Sequence, residues 1–383
     1  MKILFLDQYS EMGGAQRVLA DFLPTVQRRG WGAHVAVPGA GPLVQQLRSR
    51  NIEVTEIPCG PYRSGRKGIS DLFQFARDVR RQSQIIRNVL KQGTFDLVYV
   101  NGPRLLTAAT MATPRETPVL FHLHYPIHQA LAARLAGWSV RRSGATVVAC
   151  SNSVAQTLAG RIGQCKLQVI YNGTSDMVFR EREFSADKPW RIGLVGRISP
   201  QKGQIEFLEA AKLLAMEFPT LRFVICGAPL LGADEYFDLV KSLARGLPVE
   251  FLGWREDVAS VLAGLDLLVM PSKDEGTPLI LLEAFSAGLP VIAFPSGGIG
   301  EVISDRETGF LVPDSSAKGL AAQIRELLTS DPLILKSTAS QARQAWEESY
   351  TLAGYHDRLT DLVEQVVSVS RAEHETTAPL AHK

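Results

Sequence analysis

Two glutamates eight residues apart, Glu275 and Glu283, form the first pattern in the chain that could do chemistry. Paired carboxylates act as acid and base in glycoside hydrolysis, which needs them roughly 5–9.5 Å apart. Eight residues of helix span about 12 Å, so the spacing favours a separate hydroxyl partner for each glutamate on an extended polyhydroxylated ligand. The alternative is that Glu283 is a solvated helix residue, and spacing alone does not choose between the two interpretations.

The segment around this pair predicts a strand, a loop, a helix and a second strand. Pro278 is typical of a first helical turn, and Gly288 is typical of a left-handed residue just past a helix end. Glu275 is therefore expected in the loop after the first strand, and Glu283 is expected inside the helix. In open parallel sheets, ligands bind at that edge.

Two cations follow another predicted strand. Arg197 comes at the end of the run 191–196, and Lys202 would begin the next helix. A positive charge at a helix N-terminus opposes the helix dipole, so Lys202 indicates an anionic ligand nearby. Arginine can bind a phosphate through two hydrogen bonds, and lysine adds a point charge. The alternative is a pair of ordinary surface cations.

Histidines and glycines mark two strand ends in the first half of the chain. His122 and His124 end the run 118–124, where strand alternation places them on one side. Gly13 and Gly14 precede a predicted helix, and backbone amides there can approach an anion. The alternatives are structural histidines and an ordinary tight turn. The glycines do not form G-x-G-x-x-G, which argues against a dinucleotide-binding fold.

These motifs together resemble the GT4-like family of retaining glycosyltransferases, which have the GT-B fold. The string E-G-T-P-L-I-L-L-E-A-F-S-A-G-L-P-V-I at 275–292 is similar to the family's signature. G-R-x-x-x-x-K-G at 196–203 matches its diphosphate-binding motif, and G-G-A-Q-R at 13–17 is similar to its glycine turn. V-I-x-N-G at 169–173 and G-G-x-x-E at 297–301 also resemble family elements. The resemblance spans nearly the whole chain.

The resemblance implies a role for each of these residues. Arg197 and Lys202 would bind the diphosphate of a nucleotide sugar, and Glu283 would bind its ribose hydroxyls. Glu275 and the backbone amides of residues 276–279 would hold the sugar. The residues implied in catalysis are Glu275, His124, Arg197 and Lys202. Those implied in substrate binding are Gly13, Gly14, His122, Trp254, Gly276, Thr277, Pro278, Leu279, Glu283 and Gly298.

Two of these positions need a further remark. Trp254 follows the predicted strand 249–253, where family members hold the nucleobase. Its ring would either stack on the base or pack inside the domain. Tyr125 stands where an aspartate usually follows the histidine that matches His124.

Length and composition predict two domains, because 383 residues with 45% hydrophobic content exceed one ordinary core. Strand-like and helical patterns alternate, which indicates parallel sheets covered by helices. The expected class is α/β, and the resemblance implies a GT-B fold of two Rossmann-like, doubly wound domains facing an interdomain cleft. It also implies an acceptor-side domain at 1–175, a donor domain at 190–348 and a helix crossing back at 349–370. The polar segment 174–189 is the expected linker, and 371–383 is an expected disordered tail.

The resemblance implies a reaction that moves a sugar from a UDP- or GDP-linked donor to a hydroxyl group, with retention of anomeric configuration. The acceptor would be a glycan, a lipid-linked sugar or a small molecule. No D-x-D pair occurs in the chain. Two fixed cations would therefore stabilise the departing diphosphate, and neither a metal nor a cofactor is expected. The alternatives are an NAD-dependent oxidoreductase, a non-catalytic nucleotide-sugar-binding protein and a nucleotide-sugar epimerase.

Charge and hydropathy narrow the expected partners and location. A net charge of +2 implies no general attraction to nucleic acid. The chain shows no secretion signal, no membrane-spanning run and four scattered cysteines, which together predict a cytoplasmic protein with free thiols. The stretch 63–91 is locally basic. It is either the solvated face of a surface helix or a platform for an anionic membrane surface or a phosphorylated acceptor, and the second would make the protein peripheral at the inner face of the membrane.

Overall fold

The computed structural model describes residues 1–58, 69–184, 189–229 and 234–377, which contain thirteen strands and fourteen helices. Most strands are followed by a helix. The strands and helices form two units. The first comprises Met1–Ile170 and His356–Lys383, and the second comprises Tyr171–Tyr355. Each unit contains one parallel sheet, as the alternating pattern predicts.

The sheet of the first unit has seven strands. They are β1 (Lys2–Asp7), β2 (Gly32–Val37), β3 (Glu53–Glu56), β4 (Leu97–Asn101), β5 (Val119–Leu123), β6 (Thr146–Ala149) and β7 (Leu167–Val169). Their order is β3-β2-β1-β4-β5-β6-β7. The order reverses between β1 and β4, where Asp7 is in register with Asn101. Open parallel sheets bind ligands outside the carboxyl ends of the strands at such a point.

The sheet of the second unit has six strands. They are β8 (Arg191–Val195), β9 (Arg222–Cys226), β10 (Val249–Gly253), β11 (Leu267–Met270), β12 (Val291–Ala293) and β13 (Phe310–Leu311). Their order is β10-β9-β8-β11-β12-β13, with the reversal between β8 and β11. The loops after these two strands carry Arg197 and Glu275.

Strand β11 explains why the sequence shows uninterrupted apolar runs. All four of its residues are buried. Leu267 and Val269 belong to the core on one face of the sheet, whereas Leu268 and Met270 pack on the other face in a cluster with Phe285. A strand covered on both faces must be apolar at every position.

Helices connect the strands and cover both sheets. They are α1 (Gly14–Arg28), α2 (Pro42–Ser49), α3 (Ile69–Gln92), α4 (Leu106–Ala112), α5 (Ala130–Ser143), α6 (Asn152–Ala159), α7 (Gln204–Ala215), α8 (Asp234–Leu243), α9 (Val258–Ala263), α10 (Leu279–Ser286), α11 (Ile299–Val302), α12 (Ala317–Thr329), α13 (Pro332–Ser349) and α14 (Leu352–Thr377). Within the first unit, α14 docks on α1 through a 2.9 Å hydrogen bond between Nδ1 of His356 and Oγ1 of Thr25.

The predicted disordered tail is wrong for residues 371–377, because α14 continues through them. Arg371 also forms an ion pair with Asp96 at 2.5 Å, which anchors this part of the helix to the first unit. The rest of the predicted tail, residues 378–383, lies outside the described residues.

The prediction of a linker between the domains is wrong for residues 174–184. These residues belong to the second unit, because Arg182 in this segment is buried and bonded there. The guanidinium donates at 2.7–3.1 Å to the carbonyl oxygens of Leu262, Leu265, Ala287 and Gly288. A polar segment that looks like a linker in the sequence is therefore fastened to the second unit.

The basic stretch 63–91 is described only from α3 onward, and Arg63, Arg66 and Lys67 lie outside the described residues. On α3, Val79 and Ile86 are buried. The exposed cations are Arg77, Arg80, Arg81 and Lys91. The predicted amphipathic helix is therefore confirmed.

Three of the four cysteines lie in the described part of the chain. Cys150 and Cys226 are buried, and Cys165 is half-buried. Cys165 and Cys226 form no disulfide with a described residue, and Cys59 lies outside the described residues. Among the described residues, no helix is both long enough and apolar enough to cross a membrane.

Candidate active site

The loops after β8 and β11 bring two predicted catalytic side chains together in the second unit. Nζ of Lys202 forms an ion pair with Oε1 of Glu275, 73 residues further along the chain. The two side chains are only 17% and 13% exposed. Both loops follow the strands between which the sheet order reverses, the ligand-binding position of such sheets.

Lys202 does not begin a helix, contrary to the sequence expectation. It ends the short 3-10 turn Pro200–Lys202, and α7 starts at Gln204. The sequence predicted an anion near Lys202. In the structure this anion is the carboxylate of Glu275, which contacts Nζ of Lys202. An anionic ligand that bound Lys202 would share it with Glu275.

Two glycines let the loops around this pair approach closely. Gly203 has a φ of +72°, and a Cβ atom there would lie 2.1 Å from the carbonyl oxygen of Pro271. Gly297 has a φ of +54°, and its Cβ atom would lie 2.1 Å from the carbonyl oxygen of Glu275. Gly298 donates its amide hydrogen to the same carbonyl at 3.1 Å. Left-handed backbone at such short range requires glycine, so the turn after β12 holds the Glu275 loop in place.

Glu283 lies inside α10 and is 2% exposed. The alternative of a solvated helix residue is therefore wrong. Gly288 has the predicted left-handed conformation, with a φ of +61°. The predicted loop position of Glu275 and helix position of Glu283 are both confirmed.

The start of α10 differs by one residue from the prediction. Pro278 is the N-cap residue rather than a member of the first turn. Because proline carries no amide hydrogen, only Gly276, Thr277 and Leu279 can supply the predicted amide donors. Nδ2 of Asn172 donates to the carbonyl oxygen of Thr277 at 2.8 Å and so fixes this loop within the second unit.

Arg197 follows β8 with an exposed side chain. Its carbonyl oxygen accepts a 2.8 Å hydrogen bond from Nε2 of the buried Gln204, and Oε1 of Gln204 accepts one from the Ser199 amide at 3.3 Å. These bonds hold both ends of the loop that presents the guanidinium. The sequence analysis missed Gln204, because a glutamine at a helix start gives no sign that its partners are backbone groups.

Trp254 follows β10 and is 56% exposed. A tryptophan packed inside the domain would be largely buried, so the packing alternative does not describe this side chain.

The described residues include no group of three or more His, Cys, Asp or Glu side chains placed to hold a metal ion.

A buried chain of hydrogen bonds links β1, β4 and β5 in the first unit. Nδ2 of Asn101 donates to Oδ2 of Asp7 at 2.5 Å, and Nε2 of His124 lies 2.6 Å from Oδ1 of Asn101. Oδ1 of Asp7 accepts from Nε2 of Gln16 at 2.8 Å and from the Tyr9 amide at 2.9 Å. The sequence analysis did not identify Asp7 or Asn101 as site residues, although a polar residue ending a buried apolar strand is a usable signal.

Burial controls the protonation of these groups. It raises the pKa of Asp7 to about 6, although hydrogen bonds, that from Asn101 first, act to lower it. Burial lowers the pKa of His124 to about 3. Burial and the neighbouring His124 together lower the pKa of His122 well below its ordinary value. Both imidazoles are therefore neutral at neutral pH.

The remaining predicted residues of the first unit lie at the same sheet edge. Gly13 is the N-cap of α1 and Gly14 is its first residue, as the predicted turn requires. The rings of His122 and His124 have centroids 3.8 Å apart, and Nδ1 of His122 lies 2.5 Å from the Tyr99 hydroxyl. The edge thus combines a helix N-terminus with two neutral imidazoles.

Comparison with known families covers both units. Residues 12–176 match the family described as Glycosyltransferase Family 4. Residues 177–347 match the family described as Glycosyl transferases group 1. The chain belongs to the GT4-type glycosyltransferases. The resemblance inferred from the motifs is thereby confirmed.

Two curated relatives match this chain over part of its length. It is 32% identical over 170 residues to the D-inositol 3-phosphate glycosyltransferase of Corynebacterium urealyticum, covering 41% of this chain and 40% of that protein. It is 30% identical over 179 residues to the UDP-Gal:alpha-D-GlcNAc-diphosphoundecaprenol alpha-1,3-galactosyltransferase of Escherichia coli, covering 46% of each. The match spans less than half the length of either relative.

Solved structures match nearly the whole chain. HepE of Anabaena in complex with UDP has a TM-score of 0.79 at 25% identity, covering 95% of this chain and 100% of that chain. Sucrose-phosphate synthase from Thermosynechococcus elongatus has a TM-score of 0.77 at 17% identity, covering 96% of this chain and 100% of that chain. These neighbours have the GT-B fold, and the predicted α/β class with two Rossmann-like sheets is confirmed.

Proposed function

We propose that this glycosyltransferase moves a sugar from a nucleotide-diphosphate sugar to a hydroxyl acceptor, with retention of configuration and without a metal ion. The observation that carries the proposal is the ion pair between Lys202 and Glu275 at the reversal point of the second sheet. Arg197 and Lys202 would bind the diphosphate, and Glu275 would hold the sugar. The buried carboxylate of Glu283 would bind the ribose hydroxyls.

In the proposed reaction, the bond between the anomeric carbon and the diphosphate oxygen breaks. The acceptor oxygen bonds to that carbon on the same face, and its proton passes to the leaving diphosphate oxygen. Arg197 and Lys202 stabilise the negative charge that develops on the leaving group. This scheme uses no general base, which agrees with a pKa of about 3 for His124, too low for efficient proton removal at neutral pH.

The names of the relatives guide the choice of donor and acceptor. HepE was solved with UDP, and the Escherichia coli relative is named for UDP-Gal. We therefore favour a UDP-linked donor over a GDP-linked donor. The two curated relatives are named for different acceptors, an inositol phosphate and a lipid-diphosphate-linked sugar. The proposed acceptor is therefore still one of three classes: a glycan, a lipid-linked sugar or a small molecule.

A donor panel tests the proposal. UDP-glucose, UDP-galactose, UDP-N-acetylglucosamine, GDP-mannose and NAD are compared by thermal unfolding, since a ligand at 100 times its Kd stabilises a protein by about 2.7 kcal/mol. We expect stabilisation by a nucleotide sugar, followed by transfer or slow donor hydrolysis in EDTA. Stabilisation by NAD alone would support the oxidoreductase alternative. Binding with neither transfer nor hydrolysis would support the non-catalytic alternative, and an inverted product in NMR would refute retention.

We also propose that the first unit contacts an anionic membrane surface. Between residues 97 and 175, seven lysines and arginines stand against one acidic residue. On α5, Leu131 is 65% and Trp138 is 41% exposed, beside exposed Arg134 and Arg142. Apolar side chains among cations are typical of surfaces that lie in a membrane interface, and each cation there contributes about 1 kcal/mol. The exposed cations of α3 would add to this attraction.

Co-sedimentation with vesicles tests this contact. We expect binding to vesicles that contain phosphatidylglycerol, weak binding to phosphatidylcholine alone, and loss of binding in Leu131→Ser/Trp138→Ser. Met216→Ser is the matched control, because Met216 is 93% exposed but belongs to the second unit. Equal binding by the double variant and the wild type would refute the role of α5.

A further inference from the structure

We propose that Asn101 and Asp7 are positioning residues that hold His124 in a single tautomer, with its hydrogen on Nε2 and a lone pair on Nδ1. The proposal concerns hydrogen bonds within the first unit. The tautomer does not depend on the proposed function. Only the contact between His124 and a substrate rests on the proposed function, so the tautomer and the proposed function can fail separately.

The orientation of the Asn101 amide follows from its partners. Nδ2 of Asn101 lies 2.5 Å from Oδ2 of Asp7 and 3.2 Å from the carbonyl oxygen of Ala15. A backbone carbonyl can only accept a hydrogen bond, so the NH₂ group of Asn101 must point to this side. Oδ1 of Asn101 is then the atom that faces His124, at 2.6 Å from Nε2. Because an amide oxygen can only accept, Nε2 of His124 must carry the hydrogen.

Asp7 keeps the amide in this orientation. Its Oδ1 accepts hydrogen bonds from the Tyr9 amide and from Gln16, so the carboxylate is held from the opposite side. The Gln16 side chain in turn occupies the space beside Gly13, where a Cβ atom would lie 2.9 Å from Oε1. The glycine turn is thereby connected to His124 through three buried polar side chains in series, Gln16, Asp7 and Asn101.

The tautomer leaves one imidazole nitrogen without a partner. A neutral imidazole has one hydrogen, so Nδ1 of His124 carries a lone pair. This atom is buried and has no hydrogen-bond partner among the described residues. The same is true of Nε2 of His122, whose ring lies against that of His124. Buried polar atoms of proteins are normally hydrogen-bonded, so an unpartnered acceptor here indicates a group that binds.

The chemistry of that group follows from the lone pair. A hydroxyl or an amide N–H can donate to Nδ1, whereas a carboxylate has no hydrogen to donate. Burial also lowers the pKa of His124, so protonation does not convert Nδ1 into a donor at neutral pH. The structure thus assigns to Nδ1 of His124 a partner that donates a hydrogen, such as a hydroxyl or an amide N–H, rather than a carboxylate.

The tautomer can be measured directly in the unmodified protein. Nitrogen-15 NMR of histidine-labelled full-length protein at neutral pH distinguishes the protonated from the unprotonated ring nitrogen, and the His124→Gln spectrum identifies the resonances. We expect Nε2 to be protonated and Nδ1 to be unprotonated in the wild type. A wild-type His124 protonated on Nδ1, or on both nitrogens, overturns the proposal whatever the variants do.

Asp7→Asn tests the connection. The Tyr9 amide still donates to residue 7, so the side-chain oxygen faces Tyr9 and the new NH₂ group faces Asn101. The new NH₂ group then favours the oxygen of Asn101 on this side, while the carbonyl oxygen of Ala15 still favours its NH₂ group. Asn101 is no longer held in one orientation, and we expect the hydrogen of His124 to be shared between Nε2 and Nδ1.

Two further variants complete the experiment. Asn101→Leu removes the acceptor for Nε2, and we expect a mixture of both tautomers. Asp238→Asn makes the same chemical change as Asp7→Asn at an exposed position of α8, and we expect no change in the His124 spectrum. If Asp7→Asn and Asn101→Leu fold and keep the wild-type tautomer, the positioning role is refuted.

A ligand titration separates this inference from the proposed function. Saturating UDP-glucose is expected to shift the Nδ1 resonance of His124 toward the value of a hydrogen-bonded nitrogen. If UDP-glucose binds and leaves this resonance unchanged, the substrate contact is wrong. If no nucleotide sugar binds at all, the proposed function fails, while the tautomer result stands on the free protein.

Discussion

Lys202 and Glu275 form an ion pair that joins the loop after β8 to the loop after β11 in the second unit. The side chains are mostly shielded from water, so their attraction is screened less than that of a surface pair. A diphosphate placed at Lys202 competes with the Glu275 carboxylate for the same ammonium group. Diphosphate binding and the position of Glu275 should therefore be coupled.

Removing either cation should slow sugar transfer. We expect Lys202→Ala and Arg197→Ala each to lower kcat/KM by about 10²-fold or more, because each takes away charge stabilisation of the leaving diphosphate. Steady-state kinetics with the donor identified in the panel measures the effect. Lys212→Ala removes an exposed lysine from α7 and should leave the rate unchanged. A double variant of Arg197 and Lys202 with full activity would refute the diphosphate assignment.

The Glu283 carboxylate should affect donor binding more than the chemical step. Glu283→Gln keeps the size of a side chain that is 2% exposed but removes its charge and one acceptor. We expect mainly a higher apparent KM for the donor with a nearly unchanged kcat, the pattern of a lost uniform binding contact. Glu209→Gln on the exposed side of α7 is the control. Donor kinetics like those of the wild type would reject the ribose assignment.

Gly297 should matter for activity because of its contact with Glu275. Gly297→Ala places a Cβ atom 2.1 Å from the Glu275 carbonyl oxygen, so the loop must move. Gly246 is the matched control, because its φ is also positive, at +78°, but a Cβ atom there meets nothing within 4 Å. Both alanine variants should lose about 1 kcal/mol of stability from backbone strain. Only Gly297→Ala should also lose kcat/KM, by tenfold or more, and equal activity of the two variants would contradict this.

Local patterns were enough to predict most of the fold. Strand β11 is buried on both faces, so its apolar run appears in the sequence without any knowledge of its neighbours. The glycine at 288 and the position of Glu283 inside α10 follow from short-range helix rules in the same way. These features depend on residues close together in the chain.

The contacts that complete the site depend on residues far apart. Lys202 and Glu275 were each predicted in the site, but nothing in their spacing indicates that they bind each other. Asn101 lies 94 residues from Asp7. Arg182 is the clearest failure, because a buried arginine whose partners are backbone carbonyls looks like any other charge in a polar segment. Only the folded chain distinguishes it from the exposed Arg180.

Arg182 should therefore stabilise the second unit. Arg182→Met keeps much of the side-chain volume but leaves four buried carbonyl oxygens without their charged donor. We expect a loss of about 3 kcal/mol or more in the unfolding free energy, measured by urea denaturation. Arg180→Met, two residues away and exposed, should change it by less than about 0.5 kcal/mol. Equal stability of the two variants would show that the carbonyl contacts contribute nothing.

The buried histidines should make the protein less stable as the pH falls. Burial lowers the pKa of His356 to about 4, with the charge of Arg28 acting in the same direction. Below about pH 6.5 the unfolded chain therefore binds a proton that the folded chain does not, and the unfolding free energy falls by about 2 kcal/mol between pH 7 and pH 5 from this residue. His34, His122 and His124 act in the same direction. Asp7, whose pKa is raised, acts in the opposite direction, because its stabilisation is present at low pH and is lost as the pH rises through about 6.

His356→Gln isolates this contribution. Glutamine can still bond to Oγ1 of Thr25 but does not bind a proton in this range, so the variant should lose less stability than the wild type between pH 7 and pH 5. Urea denaturation at both pH values, followed through the transition of the first unit, measures the difference. His128→Gln changes an exposed histidine and should keep the wild-type dependence. If His356→Gln and the wild type show the same slope, the neutral state of His356 is not what makes folding sensitive to acid, and the other buried histidines, His34, His122 and His124, must account for the effect.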